Sequence, residues 1–300
     1  MKGRTPAVTE TDDEIIISSG STSAHIDRSS GLLSGYSISG KDVVKAQFRP
    51  NFWRAQTDND RRGWKTDALL GEWKDIAVDQ VKVSSSTEGG CAVVGAEIGY
   101  GEKAIIYIRY RMAPDGSLEV TYDLKIDDSM PEPLRIGLQG QVDSRYSEIT
   151  YFGRGPWENY SDRHAGVFLG TYRSDVEGMM THYVYPQENG NRTDVRWFTL
   201  TDSKGRGIQV IGSQPLNMSV WNTTQESLDK ATHIGEQTLL DGSYVLNIDH
   251  LQAGVGGTDT WSIKSRPEAH HRLLEKEYRY SFVIRPTTGF KDAVNAARNL

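Results

Sequence analysis

Ala104-Ile-Ile-Tyr-Ile-Arg-Tyr-Arg-Met112 passes through Pro114-Asp115-Gly116 into Leu118-Glu-Val-Thr-Tyr-Asp-Leu-Lys-Ile126. Apolar residues recur at every second position on both arms, the period of a strand with one buried face. Proline, aspartate and glycine supply the chemistry of a tight turn between them. A two-stranded hairpin with an apolar face is not stable alone in water, so these residues commit the chain to a larger sheet.

Reading outward, Glu14–Ser18, Thr22–Ile26, Arg135–Val142, Gly207–Gly212, Tyr244–Ile248 and Tyr278–Arg285 have the same character, with Gly, Pro, Asn and Asp between them. Only Lys291–Leu300 and Lys65–Leu70 carry a helical pattern. No internal repeat, low-complexity tract or Pro/Ser-rich linker interrupts the chain. These features predict an all-β protein of two large antiparallel sheets packed face to face. A single domain is expected over 13–300, behind a polar, loose segment over 1–12. Period alone does not separate a sandwich from a barrel.

The composition, 37% hydrophobic and 25% charged residues in 300, is that of an ordinary globular protein. A net charge of −6 argues against a nucleic-acid partner. The lone Cys91, in the apolar run Cys91-Ala-Val-Val-Gly95, excludes an internal disulfide and a thiolate zinc cluster; a buried thiol is expected. No stretch reaches the ~18 apolar residues of a membrane-spanning helix. Met1-Lys-Gly-Arg-Thr-Pro6 lacks the apolar core of a signal peptide. A soluble chain is expected, in cytoplasm or periplasm, and its opening residues suit a fragment of a longer protein better than a separate subunit. Seven Trp and fourteen Tyr offer flat amphipathic rings for a β core or for sugar faces.

Four stretches do not fit strand or helix. Tyr151-Phe-Gly-Arg-Gly-Pro-Trp-Glu-Asn-Tyr-Ser-Asp-Arg163 packs aromatics, glycines and charges together and reads as a shaped loop, Gly153 and Gly155 allowing unusual backbone angles. The others are Phe52-Trp-Arg-Ala-Gln-Thr-Asp-Asn-Asp60, Tyr183-Val-Tyr-Pro-Gln-Glu-Asn-Gly-Asn-Arg192 and Gly254-Val-Gly-Gly-Thr-Asp-Thr-Trp261. Glu158 and Glu188 can be imagined as an acid/base pair on adjacent loops. The expected role is instead bracing, with Glu158, Asp162 and Glu188 accepting backbone N–H bonds and pairing with Arg163 and Arg192. Asp58 and Asp60 suit an Asx-turn with Arg54 or Arg61 as ion partner. Asp58-Asn59-Asp60 lacks EF-hand spacing, and the scattered histidines lack zinc spacing, so no metal is assigned.

In order and in residues, these four stretches, with Arg135-Ile-Gly-Leu138 between the first two, resemble the small chain or fifth domain of the glycoside hydrolase family 2 β-galactosidases, over about Ile15 to Pro286. The resemblance implies a two-sheet supersandwich similar to galactose mutarotase. It also implies retaining hydrolysis of terminal β-galactosides such as lactose, by two carboxylates ~5 Å apart, both on a separate (β/α)8 catalytic domain. The chain is then a non-catalytic part whose partners are that barrel and the galactoside, within a homo-oligomeric parent. No cofactor is expected in this chain; divalent or monovalent cations belong to the catalytic domain.

The matching loop implies that Trp261 lines the sugar site, with Asp259 among the polar groups beside it, Gly256 and Gly257 permitting close approach, and Trp157 and His182 as secondary candidates. Thr260 departs from the family's serine and keeps the hydroxyl; Trp157 stands at a variable position. Two other readings are a free-standing carbohydrate-binding module using Trp261, Trp157 and Trp53, and, last, an aldose epimerase suggested by fold alone.

Overall fold

The computed structural model describes residues 4–298. Its first strands, β1 (Ala7–Glu10), β2 (Glu14–Ser19), β3 (Thr22–Asp27), β4 (Leu33–Ile38) and β5 (Lys41–Asp42), form one antiparallel sheet in chain order. β6 (Val44–Asn51) follows, then an irregular stretch containing the short helix α1 (Thr66–Leu70). β7 (Gln80–Glu88), β8 (Cys91–Gly99), β9 (Ala104–Met112) and β10 (Leu118–Ile126) make a meander. β11 (Arg135–Asp143), β12 (Glu148–Gly155), β13 (Phe168–Asp175), α2 (Val176–Met179), β14 (Arg192–Thr201) and β15 (Gly207–Trp221) come next. α3 (Gln225–Lys230), β16 (Ser243–Gln252), β17 (Glu277–Thr287) and α4 (Phe290–Arg298) complete the described chain.

β15 organises the second sheet. Its first half, Gly207–Gly212, pairs with β17, while Asn217–Trp221 pairs with β16. The sheet therefore forks into one arm running β17-β10-β9-β8-β7 and another running β16-β11-β6, with β14, β12 and β13 on the far side of β15. The Val43 N–H donates to the Tyr36 carbonyl at 2.8 Å, which sets the five-stranded sheet beside the β6 arm. Two antiparallel layers thus curl around a shared core drawn from both sheets, including Ile15, Ile17, Ile106, Ile108, Tyr122, Leu138, Tyr280 and Phe282. The alternation that identified the hairpin is what fills it: Ala104, Ile106, Ile108, Tyr110 and Met112 are all buried.

Several elements differ from the sequence reading. Ala7–Glu10, within the segment expected to be loose, pairs with Ile15–Ser18, because β2 would otherwise leave an open apolar edge; residues 1–3 of that segment lie outside the described residues. The helix at the other end is Phe290–Arg298 rather than Lys291–Leu300, whose last two residues are likewise outside. The first five residues of the aromatic–glycine run are strand: Tyr151–Gly155 belongs to β12. Gly153 and Gly155 serve close approach there, not unusual angles, since a Cβ would stand 2.8 Å from Val195 Cγ2 and 2.3 Å from the Tyr151 hydroxyl respectively. Cys91 is buried, as expected.

Tyr110 ties the two sheets together. Its hydroxyl accepts the Leu33 N–H at 3.1 Å and donates to the Gly31 carbonyl at 3.3 Å, wholly out of solvent. Tyr110→Phe leaves that N–H and carbonyl without their partner, so urea unfolding should show a loss of about 1–3 kcal/mol with an unchanged denaturant slope.

Candidate functional site

Past the ends of β6, β11 and β16 the three chains continue side by side. Leu134 N donates to Phe52 O (3.0 Å), and Ala253 N donates to Leu134 O (2.9 Å). Arg54 sits under this junction with no exposed surface. Its Nε and Nη2 form a two-pronged ion pair with the Asp60 carboxylate at 2.9 and 2.8 Å. The remaining N–H groups hold the Ala253 and Gly254 carbonyls at 2.7 and 2.9 Å. Asp60 also accepts the Thr57 N–H at 2.9 Å while the Thr57 hydroxyl accepts the Asp60 N–H at 3.2 Å, a reciprocal cap in place of the expected Asx-turn. Planar five-donor geometry makes arginine the side chain suited to this task. Asp58 takes little part: half exposed, it stands 4.0 Å from Arg62.

The second and third motifs are joined through Glu158. Its carboxylate receives Arg163, the Tyr183 hydroxyl and, at 2.7 Å, the Gly190 N–H. Asp162 instead grips the fourth motif, accepting the Val255 N–H at 3.1 Å and the Gly256 N–H at 2.7 Å. Among the described residues Arg192 pairs with no carboxylate, contrary to expectation. Buried beneath the loop, it donates to the Gly190 carbonyl (2.9 Å) and the Tyr151 hydroxyl (3.1 Å), satisfying oxygens that have no strand partner.

These braces hold the loop that carries Trp261, whose indole is 78% exposed. Asn59 Nδ2 donates to the Ser265 carbonyl at 3.1 Å, and Ser265 Oγ returns a bond to Asn59 O at 3.1 Å. Asp259 lies inside the loop. One carboxylate oxygen accepts the Trp261 and Ser262 N–H groups at 3.3 and 3.0 Å, while the other accepts Ser262 Oγ at 2.6 Å. The Ser262 hydroxyl and N–H hold Asp259 below the usual carboxylate range. The structure thus shows Asp259 shaping the turn beneath Trp261. A Cβ on Gly257 would stand 2.3 Å from the Ser265 carbonyl, so this glycine lets the loop close on itself.

Trp157 is also free, at 72% exposed. His182 is half exposed and pairs with Glu177 at 2.8 Å. Trp53 is buried, which removes it as a sugar platform.

Sequence reasoning missed a second charged centre. Arg135 and Asp249 meet diagonally across the β11–β16 ladder, and Glu188 reaches in from the third motif. All three side chains are fully buried. Arg135 Nη2 donates to Glu188 at 2.9 Å. Arg135 Nε lies 3.0 Å from Asp249 Oδ2, without the alignment of a hydrogen bond. Gly137, opposite Asp249, leaves room for its carboxylate: a Cβ there would be 1.9 Å away. Burial pushes Asp249 up to about 7, against the pull of Arg135 and with the push of Glu188; burial likewise raises Glu188. The legible signal was an arginine opening one strand and an aspartate set among apolar residues of another. Among the described residues no group of three or more His, Cys, Asp or Glu could hold a metal, and no helix is long and apolar enough to cross a membrane.

Residues 18–284 match the family model described as the β-galactosidase small chain. A β-galactosidase of Priestia megaterium is 30% identical over 291 residues, covering 95% of this chain and 28% of the relative. One from Alteromonas mediterranea is 32% identical over 275 residues, covering 84% and 25%. The chain therefore spans about a quarter of the length of these relatives. The galactose 1-epimerase of Lactobacillus acidophilus superposes with a TM-score of 0.50 over 95% of this chain and 98% of its own, at 8% identity. That likeness concerns the fold, a galactose mutarotase-like architecture.

Two outcomes follow from the braces. Asp162→Ala releases the Val255 and Gly256 N–H groups, so limited proteolysis should cut within 255–264 sooner while the main unfolding transition moves by less than about 2 kcal/mol. Asp249, an ordinary carboxylate near 3.8 in the unfolded chain, is raised to about 7 in the fold, so between these values the native state binds a proton that the unfolded state does not. Its contribution is present at low pH and is lost as pH rises from about 4 to about 7. The stability of the native chain minus that of Asp249→Asn should fall across that window and level off above it. A difference independent of pH would contradict this.

Proposed function

The chain belongs to the β-galactosidase small-chain family, and from that premise we propose that it serves a β-galactosidase as a non-catalytic part. It presents Trp261 to the galactoside held by a separate (β/α)8 catalytic domain. The observation that carries this reading is an indole left in solvent on a loop held by buried charges. Folding gains nothing from a tryptophan at 78% exposure, whereas Arg54, Asp60, Asp162 and Asn59 all act to fix the loop beneath it. A fixed, exposed ring suits the apolar C–H face of a pyranose, because little ordering remains to be done on binding.

The carboxylates that might have formed an acid/base pair are engaged in bracing. Glu158 holds Arg163, Tyr183 and Gly190, and Glu188 is buried against Arg135. Retaining hydrolysis needs two carboxylates ~5 Å apart and open to substrate, which supports assigning the chemistry, and any cation it uses, to the catalytic domain.

Trp261→Ala, made in the enzyme assembled from this chain and its catalytic partner, should weaken galactoside binding by about 2 kcal/mol, roughly thirtyfold in KM or inhibitor affinity. Trp261→Phe should recover part of the loss. Unchanged kinetics with an intact fold would dismiss the role of Trp261. Hydrolysis by this chain alone would dismiss the non-catalytic assignment.

A further inference from the structure

A cleft of about 780 Å³ opens on the face of β6, β11 and β16 that points away from the core. Leu138, Val142 and Phe48 fill the buried side of these strands. The side facing the cleft carries Gln139 and Gln141, with Arg49 in register with Gln139 on one neighbour and Val245 in register with Gln141 on the other. A strand face built for packing would be apolar here; this one is lined with amides.

The amides are held in fixed orientations. Gln139 Nε2 donates to Asn247 Oδ1 at 2.9 Å, and Asn247 in turn donates to Ser219 Oγ at 2.9 Å. The Oε1 of Gln225, at the start of α3, accepts from Asn51 Nδ2 at 2.9 Å and from Gln139 and Arg135 at 3.4 Å. Ser243 Oγ donates to Gln141 Oε1 at 2.8 Å. Each glutamine thereby keeps one polar end for the cleft: the Gln139 oxygen as acceptor, the Gln225 and Gln141 nitrogens as donors.

Phe52, Trp53, Trp73 and Tyr100 back the cleft as a buried apolar floor and offer no exposed ring for stacking. Three carboxylates, Asp75, Glu226 and Asp229, outnumber the two cations, Arg49 and Lys74, and Lys74 is already paired with Asp229 at 3.5 Å. That balance disfavours an anionic ligand. Fixed neutral donors and acceptors over an apolar floor match a compound bearing several adjacent hydroxyls and no charge.

We propose that this cleft binds a neutral sugar, a pyranose or short oligosaccharide, through the side-chain amides of Gln139, Gln141 and Gln225. The site is separate from the Trp261 loop, none of whose residues lines the cleft, and it does not rest on the function proposed above.

The test is titration of the 300-residue chain, labelled with nitrogen-15, with galactose, glucose and lactose, following side-chain amide signals. Saturable shifts of the three glutamine amides are expected, with a dissociation constant on the order of 1 mM. Gln139→Ala and Gln141→Leu should each weaken binding about tenfold, and Trp261→Ala should leave it unchanged. Gln141 is half exposed, so its variant serves if Gln139→Ala fails to fold, and the signals of the unaltered chain report in either case. No glutamine shift at tens of millimolar sugar overturns the proposal. So does binding that Trp261→Ala abolishes and the glutamine variants do not touch.

Discussion

Two guanidinium groups without any contact with solvent hold the motif loops in place. Taking a charge out of water is expensive, and removing one partner of a buried pair typically destabilises by about 3–5 kcal/mol. Arg54 is therefore bound to Asp60, and the carbonyls of Ala253 and Gly254 follow from where its remaining donors point. Arg135 fixes Glu188 in the same way, and through Glu188 the third motif. The loops are irregular in backbone yet have little freedom, because moving any one of them strands a buried charge.

A division of labour among the carboxylates follows. Those nearest the motif loops, Asp60, Glu158, Asp162 and Asp259, all accept hydrogen bonds from the protein itself. Trp157 and Trp261, carried on two of the same motif loops, are left exposed. A surface whose motif carboxylates are mostly engaged in this way offers its rings rather than an acid/base pair. It is suited to recognising shape and stacking rather than to moving protons.

The fold class was legible because the hairpin from Ala104 to Ile126 alternates without a break. The bracing roles of Asp60, Glu158 and Asp162 were legible because carboxylates among glycines and arginines have few other uses. What stayed hidden depends on distance in sequence. Arg135 and Asp249 look like ordinary strand residues until the β11–β16 register, which sets Gly137 opposite Asp249, brings the two side chains together on the diagonal. Trp53 resembles Trp261 as a candidate ring, and only packing separates the buried one from the free one. Arg192 was read as an ion partner because its sequence neighbours are polar, whereas the carbonyls it serves come from backbone left unpaired by the loop. The N-terminal strand was missed because four residues carry too little pattern to reveal that β2 needs a neighbour.

The place of β17 bears on how the chain is made. Residues Glu277–Thr287 insert between β10 and β15, in the middle of the larger sheet. During synthesis the meander β7–β10 and the β14–β15 pair emerge well before the strand that joins them. Each therefore waits with an open edge of unpaired N–H and C=O groups, the condition that invites wrong pairings with other chains. Pairings such as Val120 with Phe282 also close very long loops, which slows folding. The nascent chain is most open to wrong pairing while β17 is still missing, and a ribosome that stalls short of Glu277 releases the β7–β10 meander and the β14–β15 pair without the strand that joins their edges.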